Sequence, residues 1–144
     1  MKYLTVITIA LAMSTSLVSC SKDEKRRIAF DELPQTAQTF VQKHFSDKQV
    51  SIVYREYGEY EILFVDGAKI EFTRKGEWDE IEDKDVDGIP EAIMLQSIVD
   101  YVDANHPNQP VVKINKERSR FEVELSSGVE IVFNKNGNFV RYDD

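Results

Sequence analysis

The stretch Gly67-Ala68-Lys69-Ile70-Glu71-Phe72 decides the fold, because it returns 61 positions later as Gly128-Val129-Glu130-Ile131-Val132-Phe133. The run Tyr60–Phe64 returns at the same distance as Phe121–Leu125. Apolar and polar residues alternate in these runs, as in strands with one buried face. The identities between the copies fall mostly on glycine and apolar positions, which turn geometry and core packing require. The repeat therefore predicts an architecture and carries little information about chemistry.

Each half of the repeat reads as one helix followed by four strands. Pro34 suits the first turn of one helix and Pro90 that of the other, and apolar residues recur at helical spacing after each. Glycine turns separate the strands, and Asn136-Gly137 is typical of a type I′ hairpin. We predict an α+β fold in which tandem helix-plus-four-strand repeats share a curved eight-stranded antiparallel sheet, with the helices on one face.

The first residues predict export. Lys2 precedes the apolar run Leu4–Met13, which is too short to span a bilayer. Leu17-Val18-Ser19-Cys20 then resembles the lipobox of bacterial lipoproteins, in which the cysteine is acylated. The alternative is an ordinary secretory signal with an incidental cysteine. Cys20 is the single cysteine of the chain, so no internal disulfide can form.

Residues Ser21–Glu24 resemble the short acidic tag that follows the lipidated cysteine of some surface lipoproteins. A solvated tether explains the same residues, so display on the outer face and retention in the periplasm both stay open. We predict an outer-membrane-anchored lipoprotein. Its divisions are a signal peptide (1–19), a lipidated tether (20–29) and one domain (30–144) made of repeats 30–82 and 89–144 joined by the acidic linker 83–88.

The order of these elements is similar to that of the PepSY-like family. The resemblance covers about residues 30–144, in two copies, and it rests on the Leu33-Pro34 and Ile89-Pro90 openings, the two glutamate-bearing strands and the Lys75-Gly76-Glu77-Trp78 segment. It implies a fold like that of the beta-lactamase inhibitor proteins, whose relatives bind or inhibit other proteins. It brings no catalytic residues, and a likeness of fold is weak evidence of function.

The linker contains Asp83, Asp85, Asp87 and Gly88, the beginning of an EF-hand calcium loop. The bidentate glutamate expected at the twelfth position is replaced by Met94, and Pro90 interrupts the loop. A solvated acidic linker is the leading interpretation. A weak calcium site that uses Asp83, Asp85 and Asp87, with Glu91 as a further ligand, is the alternative.

Other signs of catalysis or cofactor binding are missing from the sequence. His44 and His106 are the only histidines, and each lies near a predicted helix end, where packing or the helix dipole explains it. Neither a nucleophile elbow nor a glycine-rich phosphate loop occurs. We therefore predict a protein that is not an enzyme and that needs no cofactor.

The charge of the chain bears on its partners. The net charge of −8 becomes −9 once Lys2 is removed with the signal. No basic cluster is interleaved with aromatic residues, so nucleic acid is not expected as a partner.

The exposed face of the sheet is the remaining candidate for function. Glutamates alternating on strands are usually a solvated face, yet a face that combines acidic and apolar residues can also bind a basic protein partner. The predicted partner-binding residues are Glu61, Leu63, Val65, Glu71, Glu122, Glu124, Glu130 and Val132. The leading function is a non-catalytic binding module of the cell envelope, and the alternative is a small calcium-binding envelope protein.

Overall fold

A computed structural model describes residues 24–143 of the 144-residue chain. Two ten-residue helices are present, α1 (Gln35–His44) and α2 (Gln96–Asn105). A short 3-10 turn precedes each helix, at Phe30–Glu32 and Glu91–Ile93. The strands are β1 (Arg26–Ile28), β2 (Val50–Glu56), β3 (Glu59–Phe64), β4 (Lys69–Phe72), β5 (Trp78–Glu82), β6 (Val111–Lys116), β7 (Arg120–Leu125), β8 (Glu130–Asn134) and β9 (Phe139–Asp143).

The strands form one antiparallel sheet in sequential order, β1 to β9. The prediction of an α+β fold is confirmed, but the predicted number of eight strands is wrong. The additional strand is β1, which lies inside the segment 20–29 that we expected to be a tether. Arg26–Ile28 pairs with β2 and places Ile28 opposite the buried Val53. Three residues are too few for a periodic signal, so the sequence did not reveal this strand.

Alternation along the strands produces a continuous buried face. Side chains two residues apart point to the same face of a strand, and pairing between strands aligns them into rows. The central row runs through Val53, Ile62, Ile70, Ile81, Ile114, Val123 and Ile131. All of these side chains are buried and belong to one core, which also includes Val41 of α1 and Ile98 of α2. The core therefore spans both halves of the chain.

The helices cover this buried face. Phe40 of α1 meets Phe72 of β4 edge to face, with ring centroids 5.9 Å apart. Tyr101 of α2 meets Phe133 of β8 in the same way at 5.4 Å. Pro34 directly precedes α1. The prediction that Pro90 opens α2 is wrong, because Pro90 instead directly precedes the 3-10 turn and α2 starts at Gln96. Proline fits the first turn of either kind of helix, so the sequence did not distinguish the two.

The hairpin turns differ from the predicted types. The structure places positive φ on both Tyr57 (49°) and Gly58 (85°), as a type I′ turn requires, between β2 and β3. At Asn136-Gly137 only the glycine has positive φ among the described residues. There the Asn134 amide donates to the Asn138 carbonyl and closes a loop of three residues, 135–137, instead of the predicted type I′ turn. The Asn134 side chain stabilises this loop by accepting hydrogen bonds from the Asn136 and Asn138 amides.

The element starts of the second half follow those of the first at a constant distance. Gln35 and Gln96 begin the helices, and Val50 and Val111 begin the strands that follow, at the same spacing as the repeated sequence runs. The interpretation of the halves as copies of one unit stays a prediction. The distance from Leu33-Pro34 to Ile89-Pro90 is shorter than the distance of the repeat, but the starts of the two helices are separated by the full repeat distance.

Candidate partner-binding face

We call the side of the sheet turned away from α1 and α2 the outer face. Its side chains form cross-strand rows, as those of the core do. One row runs through Arg27, Tyr54, Glu61, Glu71, Glu80, Asn115, Glu122, Val132 and Arg141. The adjacent row runs through Ile52, Leu63, Lys69, Glu82, Lys113, Glu124, Glu130 and Asp143. All five predicted glutamates therefore lie on the outer face.

Ion pairs balance most of the carboxylates in these rows. Glu61, Glu71 and Glu80 are direct cross-strand neighbours, an arrangement in which like charges repel. The Lys69 ammonium lies 2.8 Å from Glu71 and 2.7 Å from Glu80, and Lys113 lies 3.3 Å from Glu80. Burial raises the pKa of Glu80, but the hydrogen bonds from Lys69 and Lys113 and the charges of these lysines together outweigh it, and the pKa is lowered. The outer face is thus a pattern of paired charges and not a uniformly acidic surface.

One depression on this face, the N-terminal hollow, has a volume of about 140 Å³. It is lined by Lys25, Tyr54, Glu56, Tyr57, Glu59, Tyr60, Glu61, Glu71, Phe72 and Asp79. The Lys25 ammonium lies 2.8 Å from a Glu61 oxygen and 4.5 Å from the centroid of the Tyr54 ring. This lysine shows how the hollow holds a cation, through a carboxylate on one side and an aromatic face on the other.

Asp79 is the unusual member of the N-terminal hollow. It occupies the bulge where β5 carries one residue more than β4 between the pairs Glu71–Glu80 and Phe72–Trp78. Its Oδ1 is buried and has no hydrogen-bond partner among residues 24–143. Burial raises the pKa of Asp79, and the charges of Glu71 and Glu59 raise it further. A donor or a cation brought to this oxygen would relieve both effects.

A second depression, the C-terminal hollow, also measures about 140 Å³. It is lined by Lys113, Asn115, Glu122, Val123, Glu124, Glu130, Ile131, Val132 and Asp143. Glu124 and Glu130 face each other across β7 and β8, and no ion pair joins either to a residue of the described chain. Six of the eight predicted residues therefore gather in the two hollows.

The three apolar residues predicted for partner binding on the outer face, Leu63, Val65 and Val132, do not form one exposed patch. Val132 is only 4% exposed between its neighbours Glu122 and Arg141, so its predicted role as an exposed contact is wrong. Leu63 is half-buried on β3, and Val65, in the following turn, is 64% exposed. β3 and β8 lie five strands apart, about 24 Å at the usual strand spacing. Recognition on this face would depend on charge, hydrogen bonding and tyrosines.

The linker 83–88 is tied to the domain by a lysine that the sequence did not point to. Lys48 Nζ lies 2.5 Å from Asp66, 3.1 Å from Asp83 and 3.7 Å from Asp85. Asp83 is 2% exposed, whereas residues 84–87 are exposed, so the expectation of a solvated linker is wrong for Asp83 but not for the middle of the linker. Burial lowers the pKa of Lys48, but the hydrogen bonds to Asp66 and Asp83 and the charges of these carboxylates together outweigh it, and the pKa is raised. The Lys48 ammonium therefore already pairs with Asp83 and Asp85, two of the carboxylates that the calcium hypothesis assigns to a metal ion.

The second half carries a neutral version of part of this cluster. At the spacing of the repeat, Gln109 corresponds to Lys48 and Ser127 corresponds to Asp66. Ser127 Oγ donates a hydrogen bond to Gln109 Oε1. The same loop-to-turn contact is therefore made by an ion pair in one half and by a neutral hydrogen bond in the other.

The remaining candidates of the sequence analysis do not assemble a site. His44, in the last turn of α1, packs on Phe40 with ring centroids 4.9 Å apart, and burial lowers its pKa. His106 Nε2 lies 3.1 Å from the Tyr142 hydroxyl. Within residues 24–143 no three His, Cys, Asp or Glu side chains are arranged to hold a metal ion, and no helix could cross a bilayer. Cys20 and the signal lie outside the described residues.

Comparison with known proteins agrees with this architecture. The sequence model of the family described as "Putative beta-lactamase-inhibitor-like, PepSY-like" matches residues 20–64 and 58–141. The chain belongs to the PepSY-like family. Among curated proteins, none matches this PepSY-like chain.

Solved structures of Bacteroides proteins resemble this PepSY-like protein. A "putative calcium-regulated periplasmic protein" from Bacteroides thetaiotaomicron is 35% identical with a TM-score of 0.80, over 83% of this chain and 97% of its own. A "putative periplasmic protein from DUF2874 family" from Bacteroides vulgatus is 34% identical with a TM-score of 0.77, over 85% and 99%. A second Bacteroides vulgatus protein, described as periplasmic and "of unknown function", is 30% identical with a TM-score of 0.76, over 84% and 100%.

Proposed function

We propose that this PepSY-like protein is a non-catalytic module of the cell envelope that binds another envelope or extracellular protein through its outer face. The observation that carries the proposal is the N-terminal hollow, an uncovered depression in which the buried Asp79 Oδ1 has no hydrogen-bond partner in the described chain. Inhibition of the bound protein is the outcome that the beta-lactamase-inhibitor-like description of the family suggests.

The chemistry of the hollow favours a basic side chain of the partner. Asp79, Glu59 and Glu71 concentrate negative charge there, and Tyr54 and Tyr57 supply aromatic surface. Within the chain itself, the Lys25 ammonium binds in this way, between the neighbouring Glu61 carboxylate and the Tyr54 ring. A lysine or arginine entering beside Asp79 would replace repulsion between carboxylates by attraction, which increases the association rate and the specificity.

Partner capture from an envelope extract tests this proposal. Asp79→Asn combined with Glu71→Gln keeps the shape of the hollow and removes two charges, so a specifically captured protein should be lost. Asp103→Asn, on the exposed side of α2, is the matched control and should leave capture unchanged. Undiminished capture by the double variant, with the same melting temperature as the parent, would move the binding site away from the hollow.

The cellular location is proposed on two grounds. The similar structures from Bacteroides are described as periplasmic, and the Leu17–Cys20 motif is of the lipoprotein type. We propose that lipidated Cys20 anchors the domain to the outer membrane, on its periplasmic or its outer side. Cys20→Ser should abolish labelling by radioactive fatty acid and release the protein from membranes, and labelling that persists would contradict the anchor.

A calcium-linked function is the second candidate. One observation favours it, namely that a relative 35% identical to this chain is described as calcium-regulated. The ammonium of Lys48 among Asp66, Asp83 and Asp85 argues against the linker as the site. A bound ion would stabilise the fold by about 2.7 kcal/mol at a hundredfold excess over its dissociation constant. We expect no rise of the melting temperature in millimolar calcium, whereas a rise that disappears in Asp85→Ala would favour this candidate.

We further propose that the two halves are copies of one helix-plus-four-strand unit. The constant distance between corresponding elements supports this relation. The halves differ mainly in their polar contacts, such as Lys48–Asp66 against Gln109–Ser127. Core and turn positions, in contrast, are similar in both.

A further inference from the structure

The two ends of the sheet carry opposite charge. Because the strands are antiparallel and follow one another in order, the start of β1 and the β2–β3, β4–β5, β6–β7 and β8–β9 turns lie at one end, which we call the basic end. Nine lysines and arginines lie there against five glutamates, in segments 24–26, 55–59, 73–77, 116–120 and 134–138. At the opposite end five aspartates lie against two lysines, in segments 45–49, 65–68, 83–88 and 126–129. The basic end is therefore net positive in a chain whose net charge is −8.

Most of the cations at the basic end are not neutralised within the chain. Among them only Lys25 and Arg120 form ion pairs within residues 24–143. Arg26 of β1 lies directly opposite Arg55 of β2, and both residues are exposed. Like charges in direct cross-strand positions repel each other. An anion brought to this end would relieve the repulsion.

The basic end is also the end at which the chain arrives from Cys20. Lys25 directly precedes β1 and comes five residues after Cys20, so the two residues are at most about 18 Å apart. The proposed lipid anchor would therefore hold the basic end at the membrane surface. The acidic end is farther away by the length of a strand, about 20 Å for the six residues of β3. This length exceeds the Debye length of about 8 Å, so salt screens the aspartates from the charge of the membrane.

Tyr57 is an exposed aromatic residue at the tip of the basic end. It is 60% exposed and has a φ of 49°, a left-handed conformation that is strained for a bulky residue. Asparagine or glycine would form the same type I′ turn without this strain, so turn formation does not explain a tyrosine here. Tyrosine is enriched at the headgroup level of membranes, where its ring meets the apolar boundary and its hydroxyl stays in water.

We propose that the basic end docks on the anionic headgroups of the membrane that holds Cys20, with Tyr57 at the headgroup level. The proposal rests on the proposed anchor and adds a contact made by the folded domain itself. Each basic residue near an anionic surface contributes to the attraction. In this orientation the N-terminal hollow, which Tyr57 also lines, opens close to the membrane. A partner attached to the same membrane would then be within reach of the hollow.

Energy transfer from Trp78, the single tryptophan of the chain, to lipids with a dansyl-labelled headgroup tests the docking. Trp78 begins β5 directly after the β4–β5 turn, so it lies near the basic end. The mature protein, as purified from the envelope, is reconstituted into vesicles of phosphatidylcholine, with or without an equal part of phosphatidylglycerol. We expect stronger transfer in the anionic vesicles, and we expect high salt to remove the excess because it screens the surface charge.

Two variants with the same change of net charge test the role of the basic end. Arg26→Glu combined with Lys75→Glu should weaken docking on the anionic vesicles at least about tenfold. Lys43→Glu combined with Lys84→Glu alters exposed lysines near the acidic end and should leave docking unchanged. Circular-dichroism melts that match the parent exclude loss of the fold as the cause.

Tyr57→Asn separates membrane contact from the stability of the turn. Asn-Gly is the favoured sequence for a type I′ turn, so the melting temperature should stay the same or rise. Transfer to the anionic vesicles should nevertheless fall, because the aromatic ring is lost. Transfer equal to that of the parent would remove Tyr57 from the proposed contact.

Flotation of the same vesicles distinguishes failure of the docking from failure of the anchor. A protein that floats only with the anionic vesicles, and no longer does so with Arg26→Glu and Lys75→Glu, would refute the anchor and support the docking. Transfer that is equal in neutral and anionic vesicles, or that is unchanged by these two substitutions, would overturn the docking even where the protein floats with both kinds of vesicle.

Discussion

At the scale of single residues, the polar contacts that hold the loops in place have no signature in the sequence. Lys48 follows Ser46-Asp47 in an ordinary polar loop, yet its ammonium joins Asp66, Asp83 and Asp85 from two other segments. Asp83 also accepts a hydrogen bond from the Asp85 amide, which shapes the start of the linker. One lysine therefore connects the end of α1, the β3–β4 turn and the linker between the halves.

Lys48→Met tests this connection. The change leaves the buried Asp83 without its cation, and we expect the free energy of unfolding to fall by about 2–3 kcal/mol at neutral pH. The hydrogen bond from Lys48 lowers the pKa of Asp66, as does the Ala68 amide. A carboxylate whose pKa is lower in the folded state stabilises the fold fully above its unfolded pKa, which is near 4. This stabilisation is lost as the pH falls through the folded-state pKa. The difference in the free energy of unfolding between parent and variant should therefore become smaller below about pH 4. Denaturant titrations at several pH values measure this difference.

Lys84→Met is the matched control for this measurement, because its pair with Glu82 lies nearby and is solvent-exposed. We expect little change of stability from it. Two results would show that the cluster does not act through its charges. One is an equal loss of unfolding free energy in both lysine variants, and the other is a loss in Lys48→Met that does not depend on pH.

At the scale of elements, two glycines determine how closely each helix lies on its hairpin. Gly76 and Gly137 both have φ of +79°. A Cβ built on Gly76 would lie 2.7 Å from Pro34 Cβ, and one on Gly137 would lie 2.1 Å from Ser97 Oγ. The turns between the last two strands of each half therefore touch the beginning of the helix of that half. Any side chain there would push the two elements apart.

Gly137→Ala and Gly128→Ala separate this close contact from backbone strain. Both glycines have positive φ, but no atom lies within 4 Å of a Cβ on Gly128. Gly128→Ala should cost only the strain of a left-handed alanine, about 1 kcal/mol. Gly137→Ala should also break the hydrogen bond from Ser97 Oγ to the Asn136 carbonyl, for a total of about 2–3 kcal/mol. Equal losses of stability in denaturant unfolding would show that the helix contact contributes nothing.

At the scale of the whole molecule, the two halves share one core. Val41 of α1, Ile98 of α2 and the central row of the sheet belong to the same buried cluster. Half of a domain of about 120 residues buries too little apolar surface to be stable alone. The halves should therefore unfold together.

Phe72→Ala and Phe133→Ala test the shared core. Both side chains are fully buried, one in each half, and each contacts the helix of its half. Truncation of either should cost about 3–5 kcal/mol. Calorimetry should show one cooperative transition lowered by either change. Two transitions, each sensitive to one phenylalanine only, would contradict a common core.

The sequence by itself determined the strands from β2 to β9, the approximate helices and the face on which each strand residue lies. Period-2 alternation and glycine turns are local, so they can be read from neighbouring residues. All five predicted glutamates lie on the outer face for this reason. The lipobox at Cys20 is likewise a local motif, and its role stays a prediction.

Only the tertiary structure decided which of these residues act together. Alternation assigned Val132 correctly to the outer face, but its burial depends on neighbours from β7 and β9. The buried Asp79 Oδ1, which has no hydrogen-bond partner among residues 24–143, and the ammonium of Lys48 among carboxylates depend on strand order and register in the same way. These are contacts between segments distant in sequence, and they exist only once the sheet has brought those segments together.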